Sequence, residues 1–259
     1  MLNDYLGLSE VVDGIEIFPV SILQWKEFEP IASEFLLYGY DFVNYRIKPE
    51  KEVKLFDLIL SLLSREILET QNTKCEIVKR LEKMFDIVTK QKCEFVVNSD
   101  GAYVKFNTNL KDNKIEKRID RDNFDEIRNV IMRQNLIFEP LVVEDEYTQE
   151  IIDDMIVTRN RTNRGFDFLS MLVYVCCARG LKPKDLQDYT YYQLRCDCEM
   201  VQRIEFNESI HVYRSQGAKI DNLDVYKKLS SLSNPNSWDS FFKKIDAQEE
   251  ENMKRVMGG

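Results

Sequence analysis

Residues 50–70, EKEVKLFDLILSLLSREILET, decide the fold because they carry the strongest helical pattern in the chain. Apolar residues recur in this segment at spacings of three and four, the period of one face of an α-helix; they are Val53, Phe56, Leu60, Leu63 and Ile67. The apolar surface extends nearly all round the helix because of four further apolar residues, namely Leu55, Leu58, Ile59 and Leu62. A helix that is apolar on most sides is buried between several neighbours. We therefore expect this helix at the centre of the first domain.

Shorter helices and a small sheet are predicted around this segment. Upstream, we predict a turn at Asp13-Gly14, a strand ending at Pro19, and a helix capped by Ser21 that Pro30 kinks or splits. Downstream, we predict a helix Lys74–Lys90, a β-hairpin of Cys93–Val97 and Ala102–Phe106, a possible third strand Lys114–Ile119, and a helix Phe124–Asn135 capped by Asp122. The first domain is thus predicted to be mainly α with a small antiparallel β-sheet, an α+β arrangement.

A polar and basic stretch, Thr158–Gly165, is the best linker candidate in the chain. We predict a first domain of residues 1–158, a linker of residues 159–165 and an all-helical second domain of residues 166–259. Its helices are predicted at Phe166–Arg179, at Thr190–Tyr213 and in a last segment from Ser237 to about Val256.

The composition favours a soluble intracellular protein. The chain has 36 Lys and Arg against 45 Asp and Glu, and its net charge of −9 repels a phosphate backbone or an anionic bilayer. We therefore expect no nucleic-acid partner. Its longest apolar stretches are well short of the ~20 residues that span a membrane, and acidic residues interrupt any export signal. Without export, the six cysteines are expected to be reduced thiols.

No residue pattern in the chain points to catalysis, a cofactor or a metal. His211 is the single histidine, and we expect a surface or cap role for it. Cys196 and Cys198 are two residues apart, about 200° round a helix, so we favour packing over a zinc site. There is no phosphate-binding glycine loop. The Asp153-Asp154 pair is interpreted as a solvated face rather than a nuclease site. The three arginines of the linker could grip phosphate, but a solvated linker is the simpler interpretation.

Protein binding is the remaining interpretation. Trp238, Phe241 and Phe242 lie together at the start of the last segment, and Tyr192 lies in an aromatic run that we expect to leave one tyrosine edge exposed. We predict these four residues as partner-binding residues, because clustered exposed apolar side chains mark interaction surfaces. The same residues could equally form internal core, and the sequence does not separate these two possibilities.

Three segments carry a resemblance to a known family. They are Gly14-Ile-Glu-Ile-Phe-Pro-Val20, the stretch from Phe124 to Pro140 that ends Asn-Leu-Ile-Phe-Glu-Pro, and Tyr189-Thr-x-Tyr-Gln-Leu194 leading into Arg203-Ile204. In this order they resemble tail-assembly chaperone proteins of phages that infect Gram-positive bacteria. The likeness is spread over much of the chain and contains no catalytic or ligand motif, so it transfers no functional residue.

The resemblance implies a non-enzymatic role in the host cell cytoplasm. Such a chaperone would coat the long tape-measure protein, keep its apolar helices soluble, and leave as tail-tube subunits polymerise around it. This chain departs from the commonest, shorter members by its sizeable N-terminal part. The alternative is therefore a structural component of the virion, such as a tail, neck or baseplate subunit. Self-association through the same apolar residues is a further expectation, and an enzyme acting on nucleic acid or nucleotides is the third hypothesis.

Overall fold

The computed structural model of the chain describes residues 2–38, 54–72, 74–98, 101–106, 117–141, 143, 146–162, 167–217, 229 and 234. Within these ranges the α-helices are α1 (Leu2–Tyr5), α2 (Ile22–Leu36), α3 (Leu55–Thr70), α4 (Glu76–Thr89), α5 (Phe124–Gln134), α6 (Glu146–Thr162), α7 (Phe168–Arg179) and α8 (Tyr191–Ser215). The strands are β1 (Glu10–Val12), β2 (Ile15–Ile17), β3 (Cys93–Asn98), β4 (Gly101–Phe106) and β5 (Arg118–Ile119). The predicted fold class, mainly α with a small antiparallel sheet, is confirmed.

Strands β1 and β2 form a tight hairpin near the N-terminus. Val12 pairs with Ile15 across a two-residue turn, in which Asp13 has φ 49° and Gly14 has φ 75°. Two consecutive positive φ values are the geometry that favours Asp-Gly in such turns. The predicted turn is confirmed, and Ile15 and Ile17 point together into the core as expected. The strand ends at Ile17, two residues before Pro19.

Helix α2 continues through Pro30 without a break. The prediction that Pro30 splits the helix is therefore wrong. Proline removes one backbone donor, and both Pro30 and Lys26, whose carbonyl loses its partner, are exposed. Water can then satisfy that carbonyl. Ser21 occupies the predicted N-cap position, but its hydroxyl bonds the Gln24 side chain at 3.3 Å rather than the helix backbone.

Helix α3 lies in the main core, as the apolar pattern predicts. It begins at Leu55 because Lys54 is extended (ψ 139°), so the predicted start at Glu50 is too early, and residues 50–53 lie outside the described ones. Helix α4 packs beside it with its apolar face buried. Phe56 of α3, Phe85 of α4 and Phe124 of α5 meet in this core, with ring centroids 5.2 Å (Phe56 to Phe124) and 6.5 Å (Phe85 to Phe124) apart.

The second sheet has the strand order β3-β4-β5, with both pairs antiparallel. Cys93 pairs with Phe106 and Asn98 with Gly101, which confirms the predicted hairpin; its tip, Ser99-Asp100, lies outside the described residues. The third strand is confirmed at Arg118–Ile119, where Ile119 pairs with Val104. Val104, Phe106 and Ile119 are all buried, so this sheet covers one side of the main core.

Helix α5 begins after Asn123, not after the predicted cap Asp122. The Asn123 side chain instead accepts a hydrogen bond from the Asp120 backbone (3.0 Å), which closes the turn before the helix. At the buried side of α5, Arg128 donates from Nε to the Leu36 carbonyl (2.6 Å) and forms an ion pair with Glu139. This arginine joins α5 to the end of α2.

Helix α6 includes part of the predicted linker. Residues 159–162 form its last turn, so this part of the predicted linker has a helical backbone; residues 163–166 lie outside the described ones. Arginine is a good helix former, and asparagine and threonine only weaken a helix. The first strong helix breaker in the stretch is Gly165. The division into two domains stays a prediction.

The C-terminal helices α7 and α8 form a second apolar cluster that also includes Ile22 of α2. The indole ring of Trp25 stacks on Tyr191 at 3.8 Å between centroids, and Ile22 donates its backbone N–H to the Tyr189 carbonyl at 2.8 Å. Thr190 caps α8 in a reciprocal pair with Gln193. Residues predicted to belong to two domains therefore pack directly against each other at the start of α2 and of α8.

Candidate protein-binding surface

Helix α7 is apolar on nearly every side. Ten of its twelve residues, FLSMLVYVCCAR, are apolar or aromatic. Both ends are fixed locally. Asp167 accepts the Ser170 backbone N–H at 2.8 Å, and this hydrogen bond lowers the pKa of Asp167, which keeps the cap charged at neutral pH. Gly180, at φ 64°, ends the helix and lets the Leu181 N–H reach the Cys176 carbonyl at 2.9 Å.

The inner face of α7 packs into the second apolar cluster. Met171, Val175 and Cys176 are buried there. They meet residues from α2, α8 and the short 3-10 turn Pro183–Leu186 that precedes α8, namely Ile22, Leu186, Leu194 and Cys198. Burial raises the pKa of the Cys176 and Cys198 thiols, so both remain protonated packing groups. The sequence interpretation of these cysteines as apolar core residues is confirmed for Cys176 and Cys198.

The outer face of α7 is exposed. It consists of Leu169, Val173 and Cys177, spaced four residues apart and hence aligned along the helix. Leu169 is 68% exposed and Val173 is 54% exposed. An apolar helix is normally buried all round. Because the inner face already packs on α8, the outer face is an apolar strip that stays exposed in the part of the chain that the structure describes, and we take it as the candidate protein-binding surface.

A buried carboxylate fixes the C-terminal end of α7 against α8. Asp197 is 2% exposed and accepts three hydrogen bonds: from Arg179 Nη2 at 2.9 Å, from Tyr5 at 3.2 Å and from Tyr189 at 3.2 Å. Desolvation, followed by the negative charge of Asp197, raises the pKa of Tyr5 and of Tyr189. Both hydroxyls thus stay neutral donors. This cluster joins α1, α7 and α8, and it sets the direction in which the outer face of α7 points.

Of the predicted partner-binding residues the structure describes Tyr192, and it does not lie on the outer face of α7. Tyr192 is only 3% exposed, so it is a core residue and presents no surface to a partner. We expected one tyrosine of the aromatic run to leave an edge exposed, and Tyr192 does not. Trp238, Phe241 and Phe242 lie outside the described residues. Sequence reasoning did not single out Leu169, Val173 and Cys177.

The residues considered for chemistry are dispersed. His211 is exposed near the end of α8, and Asp153 and Asp154 are exposed on α6. Cys196 and Cys198 are both buried on α8. Among the described residues, no group of three or more His, Cys, Asp or Glu side chains is arranged to hold a metal ion. No helix in the described part of the chain has the length and apolar character needed to cross a membrane.

The buried Tyr192 predicts an alkaline loss of stability. Burial, followed by the nearby Cys196 and Asp4, raises the pKa of Tyr192 from 10.0 to about 12. Between these pH values the unfolded chain releases the phenolic proton and the folded chain retains it, so the free energy of unfolding falls as the pH rises, by about 2–3 kcal/mol for this residue. Urea denaturation across this range measures the fall.

The matched control is Tyr192→Phe, which keeps the ring and removes the titrating hydroxyl. The pKa values of Tyr5, Tyr189 and Tyr191 are also raised, so a smaller fall is expected to persist in this variant. An equally steep fall in wild type and Tyr192→Phe would contradict the assignment.

Comparison with known proteins adds no relative. No protein-family model matches this chain, and neither the curated proteins nor the solved structures contain a match.

Proposed function

We propose that the protein is a non-enzymatic phage tail-assembly chaperone that binds apolar helices of the tape-measure protein in the host cytoplasm. The observation that carries the proposal is the outer face of α7. It offers a straight apolar strip, about 12 Å from Leu169 to Cys177 at the helical rise of 1.5 Å per residue, on a chain of net charge −9. An apolar helix of a client can lie along such a strip while the acidic body keeps the complex soluble.

The strength of one such contact is small. Fully burying a leucine or a valine contributes about 1.5–3 kcal/mol, and here both side chains are already partly buried. Association itself costs at least about 4 kcal/mol. One chaperone therefore holds one client helix weakly. A long client that carries many apolar helices binds many copies, and each copy can leave singly when tube subunits take its place.

The test is co-expression with the tape-measure protein encoded in the same genome. Wild type is expected to raise the soluble fraction of that protein several-fold. The variant Leu169→Glu/Val173→Glu places two carboxylates on the strip and is expected to return solubility to the level without chaperone, because burying an unpaired charge is unfavourable. The matched control is Leu68→Glu on α3, where the leucine is 78% exposed and outside the strip.

Two results would contradict the proposal. In the first, wild type leaves the solubility of the tape-measure protein unchanged. In the second, Leu169→Glu/Val173→Glu raises the solubility of the tape-measure protein as much as Leu68→Glu does. This result would show that any chaperone activity does not depend on α7. Circular dichroism of the purified variants checks that both remain folded, which is expected because all three substitutions are at exposed sites.

A structural place in the virion is the second candidate. The N-terminal segment exposes its own apolar side chains, namely Leu2, Leu6, Leu8 and Val11. A protein with apolar surface on separate elements can contact several neighbours at once, as a subunit of a tail, neck or baseplate does. Mass spectrometry of purified particles decides between the two: a stoichiometric amount supports the virion subunit, and its absence from particles supports the transient chaperone.

A further inference from the structure

The short helix α1 has its acidic residue turned inward and its leucine turned outward. Asp4 is the buried residue of this helix and is 1% exposed, whereas Leu2 is 70% exposed. Leu6, in the turn that follows, is 53% exposed. A surface helix normally buries its apolar residues and exposes its charged ones. Places where the local sequence pattern opposes the surrounding fold are expected to be functional or strained sites.

Polar contacts hold α1 against two other helices. The Asp4 carboxylate lies 3.4 Å from Nε of Arg133 on α5. The Tyr5 hydroxyl donates to Asp197 of α8 at 3.2 Å, and the Gln193 side chain of α8 donates to the Tyr5 carbonyl at 2.8 Å. Burial of apolar surface is the largest stabilising term in most packed segments. A segment that is held mainly by polar contacts therefore has low local stability.

Helix α1 covers a part of α8 that lies outside both apolar clusters. It packs directly on α8. Tyr192 is 3% exposed and Cys196 is 2% exposed, yet neither belongs to the main core or to the second apolar cluster that the described residues form. Cys196 directly precedes Asp197, to which Tyr5 of α1 bonds. The burial of this patch therefore depends on α1.

We infer that residues 2–8 form a latch, which opens from α8 without unfolding of the other helices and uncovers Cys196 and Tyr192. The latch is one closed unit, because the backbone N–H groups of Gly7 and Leu8 bond back into α1 at 3.1 and 3.0 Å. Opening removes one hydrogen-bond donor from Asp197, so the latch acts on the cluster that fixes the end of α7. The inference goes beyond the proposed function and needs no client.

Two native thiols of α8 serve as the reporter and its reference. Cys196 lies under the latch, and Cys198 is buried in the second apolar cluster. A buried thiol reacts with N-ethylmaleimide only while it is uncovered. In native buffer, wild-type Cys196 is expected to be labelled at least about ten-fold faster than Cys198, because a local opening costs less free energy than unfolding α8. Tandem mass spectrometry distinguishes the two labelled positions.

Two tyrosine variants form a matched pair. Tyr5 and Tyr189 each donate a hydroxyl to Asp197 at 3.2 Å, but only Tyr5 belongs to the latch. Tyr5→Phe is expected to accelerate the labelling of Cys196 about ten-fold, because hydrogen bonds to charged groups contribute more than neutral ones. The labelling of Cys198 is expected to stay unchanged. Tyr189→Phe is expected to leave the ratio of the two labelling rates nearly as in wild type.

The exposed leucines of the latch supply a further control. Leu2→Gln/Leu6→Gln is expected to leave the labelling rate of Cys196 unchanged, because both side chains face water in the closed latch. An acceleration as large as that of Tyr5→Phe would show that apolar contacts, and not the polar ones, hold the latch closed.

Either of two other results overturns the inference. In the first, Cys196 is labelled no faster than Cys198, so that α8 opens only as a whole. In the second, Tyr5→Phe and Tyr189→Phe accelerate the labelling of Cys196 equally, which would assign the opening to the whole Asp197 cluster. All these measurements use the protein without client. A latch that opens while tape-measure solubility stays unchanged would therefore reject only the proposed function.

Discussion

Replacing Phe124 by alanine is expected to lower the free energy of unfolding by about 3–5 kcal/mol, because it leaves a cavity in the main core. The ring of Phe124 is fully buried between Phe56 and Phe85, so it joins α3, α4 and α5 at a single point. Tilted aromatic pairs of this kind contribute beyond the area that they bury. A domain is typically stable by only 5–15 kcal/mol, so this one change removes a large part of the total.

Urea denaturation followed by circular dichroism measures this loss. Phe124→Leu retains most of the side-chain volume and is expected to cost much less, which keeps the experiment informative if the alanine variant does not fold. Phe206→Ala, at an exposed position of α8, is the matched surface control and is expected to change stability by less than about 0.5 kcal/mol. A loss below about 1 kcal/mol for Phe124→Ala would show that these three helices do not meet at this residue.

The helices and strands of the main core were predictable because each carries a periodic apolar pattern. In α3 the period of three and four residues places Phe56 and Leu63 inside, where the structure has them, and Leu60 and Ile67 are partly buried against the same core. The Asp13-Gly14 turn was predictable for a different reason. Its positive φ values are strained for most residues, so the dipeptide itself indicates the geometry.

The ends of helices were harder to predict because several neighbouring residues can cap the same helix. Asp122 and Asn123 are both good helix caps, and a local turn, in which the Asp120 backbone N–H donates to the Asn123 side chain, decides between them. The helical backbone of residues 159–162 was not predicted, because their side chains are polar. Polarity reports exposure to water, and polar residues such as arginine can continue a helix.

The candidate surface could not be located from the sequence for a physical reason. When ten of twelve residues in α7 are apolar, the pattern has no preferred side, so it cannot show which face packs and which stays exposed. Only the positions of α8 and of the 3-10 turn decide which face of α7 is buried and which is exposed. Tyr192 is the opposite case, because we expected it to be exposed and the structure buries it. Its burial follows from the packing around α8 and not from its neighbours in sequence.

The Asp197 cluster joins residues far apart in the chain, which no local pattern predicts, and its two charged members are not equivalent. The Arg179 side chain is 40% exposed and can turn to water if its partner is removed, whereas Asp197 is buried and cannot. Arg179→Met leaves an uncompensated buried carboxylate and is expected to cost about 3–5 kcal/mol. Asp197→Asn keeps the shape and an acceptor for one of the two tyrosines, which bond different carboxylate oxygens, so it is expected to cost about 1–2 kcal/mol.

The double variant Arg179→Met/Asp197→Asn separates this explanation from a simple loss of contacts. If the buried charge is the main cost, removing the carboxylate rescues Arg179→Met, and the double variant is more stable than that single variant. If the lost contacts were the main cost, the two penalties would add and the double variant would be the least stable of the three. Urea denaturation of all four proteins at neutral pH distinguishes these orders.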